Sequence, residues 1–489
     1  MLNIFQRLIV TKVASVNLFK RIYLLKPMIH IVLFRNDLRL DHQPALQAAL
    51  DARETHDQIV LLFHLNPSQF APKTARHDYF FKTLNWFQTE CQQIAPLHFI
   101  AGELSAAFTS LLATLGTNVT FYFNRQLSGE RLRRDQQLIA LLEDKQIPYQ
   151  QFLDGHLHGV AEVKKADGSS YRVFTPYYRQ WLALEKPSWH RIRCEQSCSP
   201  QYEGACFDEG RRVFAGLLTQ LRAQQWDETI GVTAARQQLE QFIAGPLATY
   251  DYDRDFPARA GTSRMSPYLK YGVLSIVEVY RRVVTSEQRG QATYIKELAW
   301  RDFYQMIACE NPTIQTEALT PQYRALEWEV NPAGFNAWCK GETGYPLVDA
   351  AMKQLNATGW MHNRLRMVVS SFLVKDLGID WREGERYFAE KLIDYDRASN
   401  AGGWQWAAST GVDAVPYFRV FNPTVQSKRF DPDGAFIRRW LPELVLAKSK
   451  EIHEPQKYGL TYLAPIVDHQ TARLAAIERF KRIKNKTDG

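Results

Sequence analysis

The sequence lacks the features that would tie it to a metal, an oxidising compartment or a bilayer. Its six cysteines form no Cys-x-x-Cys pair. Cys194, Cys198 and Cys206 cluster only loosely, at spacings that match no zinc pattern, and Cys91, Cys309 and Cys339 stand apart. Reduced, structural thiols in a cytoplasmic setting are the expectation. No apolar run reaches the length of a membrane span, so no membrane association is expected. There is no repeat and no low-complexity tail. No Gly-x-Gly-x-x-Gly follows the first predicted strand, so the standard dinucleotide fingerprint is missing. Residues 1–27 contain no acid, but they do contain Arg7, Lys12, Lys20, Arg21 and Lys26. They read either as a targeting presequence or as a start placed too early, with Met28 the first residue. The second reading is preferred, because a strand begins directly after Met28.

What is present is ordinary for a globular chain: 45% apolar and 23% charged residues over 489 positions. That length suits one large protein of two or three domains. A net charge of +8 leans toward a polyanionic partner. Twelve tryptophans fit either a large core or a set of stacking sites.

From Ile29 the chain alternates short β-branched and aromatic runs with amphipathic stretches. Ile29–Phe34, Gln58–His64, Leu97–Ala101 and Val119–Asn124 read as strands, with helices at Tyr79–Gln93 and Arg131–Leu142. This is the pattern of a parallel, Rossmann-like α/β sheet. Residues 156–225 show weak periodicity and read as an interdomain linker. From Trp226 the pattern turns helical, at Thr233–Ala244, Tyr294–Ala308, Pro346–Leu355, Asn363–Leu377 and Glu383–Leu392. The expected organisation is an N-terminal extension at 1–27, an α/β domain at 28–155, the linker at 156–225, an all-α domain at 226–475 and a basic tail at 476–489.

Five segments carry candidate chemistry. Gly261-Thr262-Ser263-Arg264-Met265-Ser266 precedes a helix, where hydroxyls and free N–H groups serve as a cap or a phosphate cradle. Glu297, Trp300, Arg301 and Tyr304 occupy neighbouring helical positions: an acid that can accept from a base, a stacking ring and a phosphate-binding cation. In Gly359–Met367, Asn363 and Arg366 share a helix face, and His362 reads as a core histidine. Asp394-Tyr395-Asp396 through Asn400 to Trp404 and Trp406 brings acids, an amide, a Gly pair and two tryptophans together. The glycines let the backbone approach a flat group, and the carboxylates can accept from hydroxyl or ring N–H groups. Tyr417–Phe430 interleaves aromatics with Arg and Lys, as a nucleic-acid rim does. Each segment alone also reads as capping, core packing or a solvated loop.

Together, and in this order, these segments resemble the photolyase/cryptochrome flavoprotein family from about Met28 onward. The stretch Gly359–Leu444 is most similar to class I photolyases acting on cyclobutane pyrimidine dimers, and Phe34-Arg35-Asn36-Asp37-Leu38-Arg39 resembles the family's opening strand and loop. The resemblance implies an α/β antenna-binding domain joined to an all-helical domain that binds FAD and DNA. It implies FAD contacts from Tyr250, Thr262, Ser263, Arg264, Met265, Ser266, Asn363, Arg366, Asp394, Tyr395 and Asp396, with Asn400 facing flavin N5. It implies UV-damaged DNA as partner and a monomer. The flipped-out lesion would lie between Trp300 and Trp406, with contacts from Arg254, Glu297, Arg301, Tyr304, Asn363, Arg364, Met367 and Gln426. Blue light would drive an electron from reduced FAD into the dimer, and Trp404, Trp381 and Trp328 would relay electrons that reduce the oxidised flavin.

Asn400 favours repair over signalling, since signalling members carry Asp or Cys there. His362 followed by Asn363, rather than by a second His, disfavours the (6–4) photoproduct. The chain ends at Gly489 without the long extension of many light sensors. For the antenna, folate-binding members present Asn-Glu where this chain has Gly129-Glu130, and Gln315 and Thr316 replace a Cys and a Lys. Methenyltetrahydrofolate at Glu130 is the first expectation.

Overall fold

The structure, a computed structural model, describes residues 27–67, 70, 73–192 and 201–487, the side chains only as far as 483. The expected extension at 1–27 lies outside these residues except for Pro27, and so do Cys194 and Cys198.

Strands β1 (Ile29–Phe34), β2 (Gln58–Leu65), β3 (Leu97–Ala101), β4 (Val119–Asn124) and β5 (Tyr149–Phe152) form one parallel sheet, in the order β3-β2-β1-β4-β5. β1 is buried along its whole length, as a central parallel strand covered on both faces must be. Helices α1 (Pro44–Ala52), α2 (Ala75–Cys91), α3 (Leu104–Leu115) and α4 (Gly129–Asp144) connect the strands. The sequence pattern missed β5. Its residues Tyr-Gln-Gln-Phe lie at an edge, none of them fully buried, in a run too short to show an alternation.

The linker expectation needs correction. Residues 156–225 hold α5 (Phe174–Ala183) and α6 (Ala205–Leu218). Phe214 of α6 stacks on Phe99 of β3, with ring centres 4.2 Å apart. Gly210 lies so close to the Phe99 carbonyl that a Cβ would stand 1.9 Å from its oxygen. α6 therefore completes the α/β domain, while α5 packs on the helical domain.

The helical domain contains α7 (Val232–Ala244), a turn at Tyr250–Asp253, α8 (Ser266–Lys270), α9 (Ile276–Val284), α10 (Gln291–Glu310), α11 (Pro332–Lys340) and α12 (Pro346–Thr358). It continues with α13 (Asn363–Ser371), α14 (Trp381–Lys391), α15 (Arg397–Ala407), α16 (Pro423–Phe430), α17 (Ala435–Trp440) and α18 (His469–Thr487). The helix expected at Asn363–Leu377 is α-helical only to Ser371. It then widens into a π turn, Phe372–Asp376, closed by the Leu377 amide on the Phe372 carbonyl at 3.0 Å. The expected tail boundary at 475/476 falls inside α18, where Phe480 is 1% exposed, so this segment is packed structure.

No described helix is long and apolar enough to cross a membrane, and no described cluster of His, Cys, Asp and Glu could hold a metal ion.

Candidate functional site

The segment Asp394–Trp406 is the hub of the site. Asp396 caps α15, accepting from the Ser399 amide at 3.0 Å. Burial alone would raise its pKa, but Lys270, Arg301 and Arg131 add positive field and hold the carboxyl far below the usual range. Lys270 ends α8, 3.4 Å from Asp396. Desolvation, with Arg131 and Arg301 nearby, lowers its ammonium to about 7. Asp394 pairs with Arg366 of α13 at 2.8 Å, and its other oxygen, Oδ1, is buried without a hydrogen-bond partner. An orphaned buried carboxylate oxygen of this kind wants a donor, such as a ribose hydroxyl or a ring N–H.

Asn400 donates its amide to the Glu385 carboxylate at 3.0 Å and to the Glu385 carbonyl at 3.1 Å. Glu385 is 3% exposed and also accepts from Tyr395 and Gln315. Glu385 and Gln315 were not among the expected cofactor contacts. Only helix packing reveals Glu385, which lies fifteen positions before Asn400 in the chain.

The two glycines at 402 and 403 do different work. A Cβ on Gly402 would stand 2.2 Å from the Tyr304 ring, so this glycine lets α10 and α15 close together. Gly403 has no atom within 4 Å of its Cβ position, so α15 presents an open face there. Beside α8, Ser263 is buried and accepts from the Tyr294 hydroxyl at 3.0 Å, and Tyr294 packs edge-on against Tyr250. Met265 is buried, whereas Thr262 is only partly covered and Arg264 and Ser266 are exposed. Arg264 adopts φ +54 and sets its guanidinium 4.8 Å above the Trp360 ring. These residues fit an FAD: an orphaned carboxylate, exposed hydroxyls at a helix start, and an open, glycine-faced wall.

The expected DNA residues divide. Arg254 pairs with Glu297 at 2.6 Å. Trp300 stacks on Phe174 of α5, with centres 3.6 Å apart and planes 6° from parallel. The Phe174 amide in turn donates to Asp413, in the loop after α15. That loop also binds Trp406, through the Val415 amide on the Trp406 carbonyl. Trp300, through Phe174, and Trp406, through its carbonyl, are thus linked to the same loop although 106 positions apart in the numbering. Arg364 pairs with Asp255 at 2.7 Å and lies over Phe430 of α16, the helix that carries Gln426. Asn363 is exposed, and Met367 is half-buried. One expectation is corrected. Arg301 turns away from Trp300 and donates to the Gly155 carbonyl in an interdomain cavity. Tyr304 is half-buried, abuts Gly402 and stacks on Trp300 with ring centres 5.5 Å apart.

Trp381 and Trp404 are buried in one hydrophobic cluster, and the partly exposed Trp328 packs against it. The Glu329 amide, next to Trp328, donates to Gly378 just before Trp381. Gly384, one turn beyond Trp381, abuts the Trp404 ring.

The interdomain cavity, of about 630 Å³, opens at the carboxyl ends of β1 and β4. Glu130 borders it, but its carboxylate is exposed and paired with Arg133. Gly129 adopts φ +63, and a Cβ there would stand 2.9 Å from the Arg397 side chain. Arg397 thus occupies the space a side chain at 129 would need.

A parallel α/β domain is thus joined to a helical domain with a carboxylate- and amide-lined cradle that fits an FAD. Residues 30–195 match the family model for DNA photolyase, and residues 294–482 match the FAD binding domain of DNA photolyase. The chain is 40% identical over 466 residues to a deoxyribodipyrimidine photo-lyase of Alkalihalophilus pseudofirmus, covering 92% of this chain and 97% of that one. Among solved structures it is similar to a bacterial class III photolyase from Agrobacterium tumefaciens, with a TM-score of 0.81 and 30% identity over 94% of this chain and 98% of that one. It is also similar to an archaeal photolyase from Sulfolobus tokodaii with two FAD molecules, with a TM-score of 0.80 and 30% identity over 93% of this chain and all (100%) of that one. The chain belongs to the DNA photolyase family and is an FAD-binding enzyme of the photo-lyase class.

Proposed function

We propose that the chain uses blue light to split cyclobutane pyrimidine dimers in UV-damaged DNA, acting as a monomer. The observation that carries this reading is that one loop ties Trp406, through its carbonyl, to Phe174, on which Trp300 stacks, with Glu297 one helical turn from Trp300. Both indoles are part-exposed and offer stacking surface to an extruded, poorly stacked dimer. Glu297, paired with Arg254 at 2.6 Å, has carboxylate oxygens that can accept from base N–H groups. Arg364 and Gln426 supply donors for flanking phosphate or lesion carbonyls, and the exposed Asn363 can serve either side.

Arg366, Asp394, Asp396, Tyr395, Asn400, Tyr250 and the Thr262–Ser266 segment would hold the FAD. Reduced FAD, when bound, supplies the light-driven electron that opens the cyclobutane ring. The protein's part is to exclude water, orient the lesion and fix the charges around it. Trp404, Trp381 and Trp328 run from a buried site to a partly exposed one, as a relay for restoring reduced flavin requires.

The interdomain cavity suits a second chromophore. Arg397 beside Gly129 and the outward-facing Glu130 weigh against the expected methenyltetrahydrofolate contact, and release of the pigment by denaturation, followed by its absorption spectrum, separates a folate from a second flavin.

The deciding experiment presents reduced protein with DNA containing a defined thymine dimer, in blue light and in darkness. Light-dependent recovery of thymine absorbance supports the reading. Recovery only with a (6–4) lesion, or with neither lesion despite bound reduced FAD, overturns it.

A further inference from the structure

Three uncommon features converge on the loop that follows Trp406. The first is the π turn Phe372–Asp376, a local widening that re-aims the side chains it carries. The second is Lys375 on that turn, buried at 1% exposure. Its ammonium donates to Ser409 Oγ at 2.8 Å and lies 3.4 Å from the backbone carbonyl oxygens of both Tyr417 and Arg419. The adjacent carboxylate, Asp376, is turned to His469 of α18. The third is Ser409 itself, which holds φ +63, the left-handed region that favours glycine.

Beneath the loop, the Tyr417 ring stacks on Phe480 of α18, with centres 5.6 Å apart and planes 8° from parallel. The Lys375 ammonium lies 5.9 Å from the centre of the Phe480 ring. Above the loop, Phe418 is 57% exposed, and Arg419 is exposed with no acidic partner among the described residues. A buried ammonium and a left-handed serine are both unfavourable and persist only where the surroundings over-determine them. Here they pin the two ends of one loop.

We propose that Lys375, seated on Phe480, is a positioning residue that fixes the Ser409–Arg419 loop, so that Phe418 and Arg419 meet the DNA beside a lesion held at Trp406. This inference rests on the reading that Trp406 faces the lesion. A loop ordered in advance has no ordering entropy left to lose on binding, and Arg419 adds a phosphate contact. Releasing the loop should weaken capture of damaged DNA while leaving the chemistry of bound lesions intact.

The test uses the full FAD-loaded chain with Lys375→Met and Phe480→Leu. Affinity is measured for a duplex with one thymine dimer and for the same duplex undamaged, and repair per absorbed photon is measured at saturating DNA. The expected result is about tenfold weaker binding of the damaged duplex, little change on the undamaged one, and an unchanged photon yield and flavin spectrum. Ser409→Gly keeps the left-handed turn and removes only the hydroxyl acceptor, so it guards against a variant that fails to fold; it should show the same selective loss, to a smaller extent. Unchanged binding of the damaged duplex by all three variants overturns the proposal. Equal losses on both duplexes, or loss of flavin, also overturn it, because general structural damage would produce them. A parent chain that does not discriminate between the duplexes overturns the reading of Trp406 first, and this inference with it.

Discussion

Asn400 and Glu385 meet where α15 crosses α14, the Asn400 amide 3.0 Å from a carboxylate oxygen that is also shared with Tyr395 and Gln315. Asn400→Asp would set a second carboxylate against this buried one. One of the two must then take up a proton, so its folded pKa rises above the ordinary value of about 4. The variant should lose roughly 1–3 kcal/mol of stability near neutral pH. The deficit should shrink as pH falls toward 4, where unfolded carboxyls are also protonated. Chemical denaturation at several pH values measures both effects, and a deficit independent of pH would contradict the pairing.

Glu297→Ala should weaken repair of a thymine dimer about ten- to a hundredfold, the worth of a hydrogen bond to a charged group. Flavin should stay bound, because Glu297 contacts Arg254 rather than the Asp394–Arg366 pair. Loss of flavin from the purified variant would remove Glu297 from the lesion side.

Trp381→Phe should fill most of its buried site yet sharply slow light-driven reduction of oxidised flavin. Chemically reduced variant should repair as the parent does. Transient absorption after a flash, set beside a repair assay, tests the two halves; equal photoreduction would exclude Trp381 from the relay.

Gly384→Ala would place a Cβ 2.1 Å from the Trp404 ring. Overpacking of this kind costs about 1–3 kcal/mol, so the melting temperature should fall and the α14–α15 contact should loosen. An unchanged melting temperature would mean that Trp404 has room to move.

Acid should weaken the fold through buried histidines well above the ordinary carboxylate range. Burial lowers His362 from 6.5 to about 4, and His42 likewise, with Arg39 adding to the effect at His42. In the unfolded chain both take a proton near pH 6.5, while in the fold both resist until about 4. Their contribution is complete above 6.5 and declines by roughly 1.4 kcal/mol per pH unit for each histidine as pH falls through that window. Urea midpoints between pH 7 and 4.5 measure the slope, and His362→Gln should flatten it.

Much of the molecule is written locally. The apolar runs of β1 to β4 and the helical spacing of Tyr294–Ala308 dictate strand or helix, because side-chain periodicity depends on neighbours only a few positions away. The order of the Thr262–Ser266, Glu297–Tyr304, Gly359–Met367 and Asp394–Trp406 segments identifies the family for the same reason: each is a contiguous string. The strand β5, four residues long and at an edge, is too short to show a period, and the helical spacing of Phe207, Gly210 and Phe214 in α6 was hidden inside the supposed linker.

What only the tertiary structure decided is which side chain faces which across elements far apart in the chain. Arg301 and Trp300 are adjacent in sequence, yet one enters the interdomain cavity and the other stacks on Phe174. Glu385 of α14 acquires Asn400 of α15, Tyr395 just before it and Gln315 from the loop after α10 only because these segments pack together. Arg397 fills the space beside Gly129 from 268 positions away in the numbering. A π turn aims Lys375 at Ser409, in a loop 34 positions ahead. Periodicity selects an element and its buried face. Partners across the fold are set by close packing, where a single absent Cβ at Gly384 or Gly402 determines how near two helices can come.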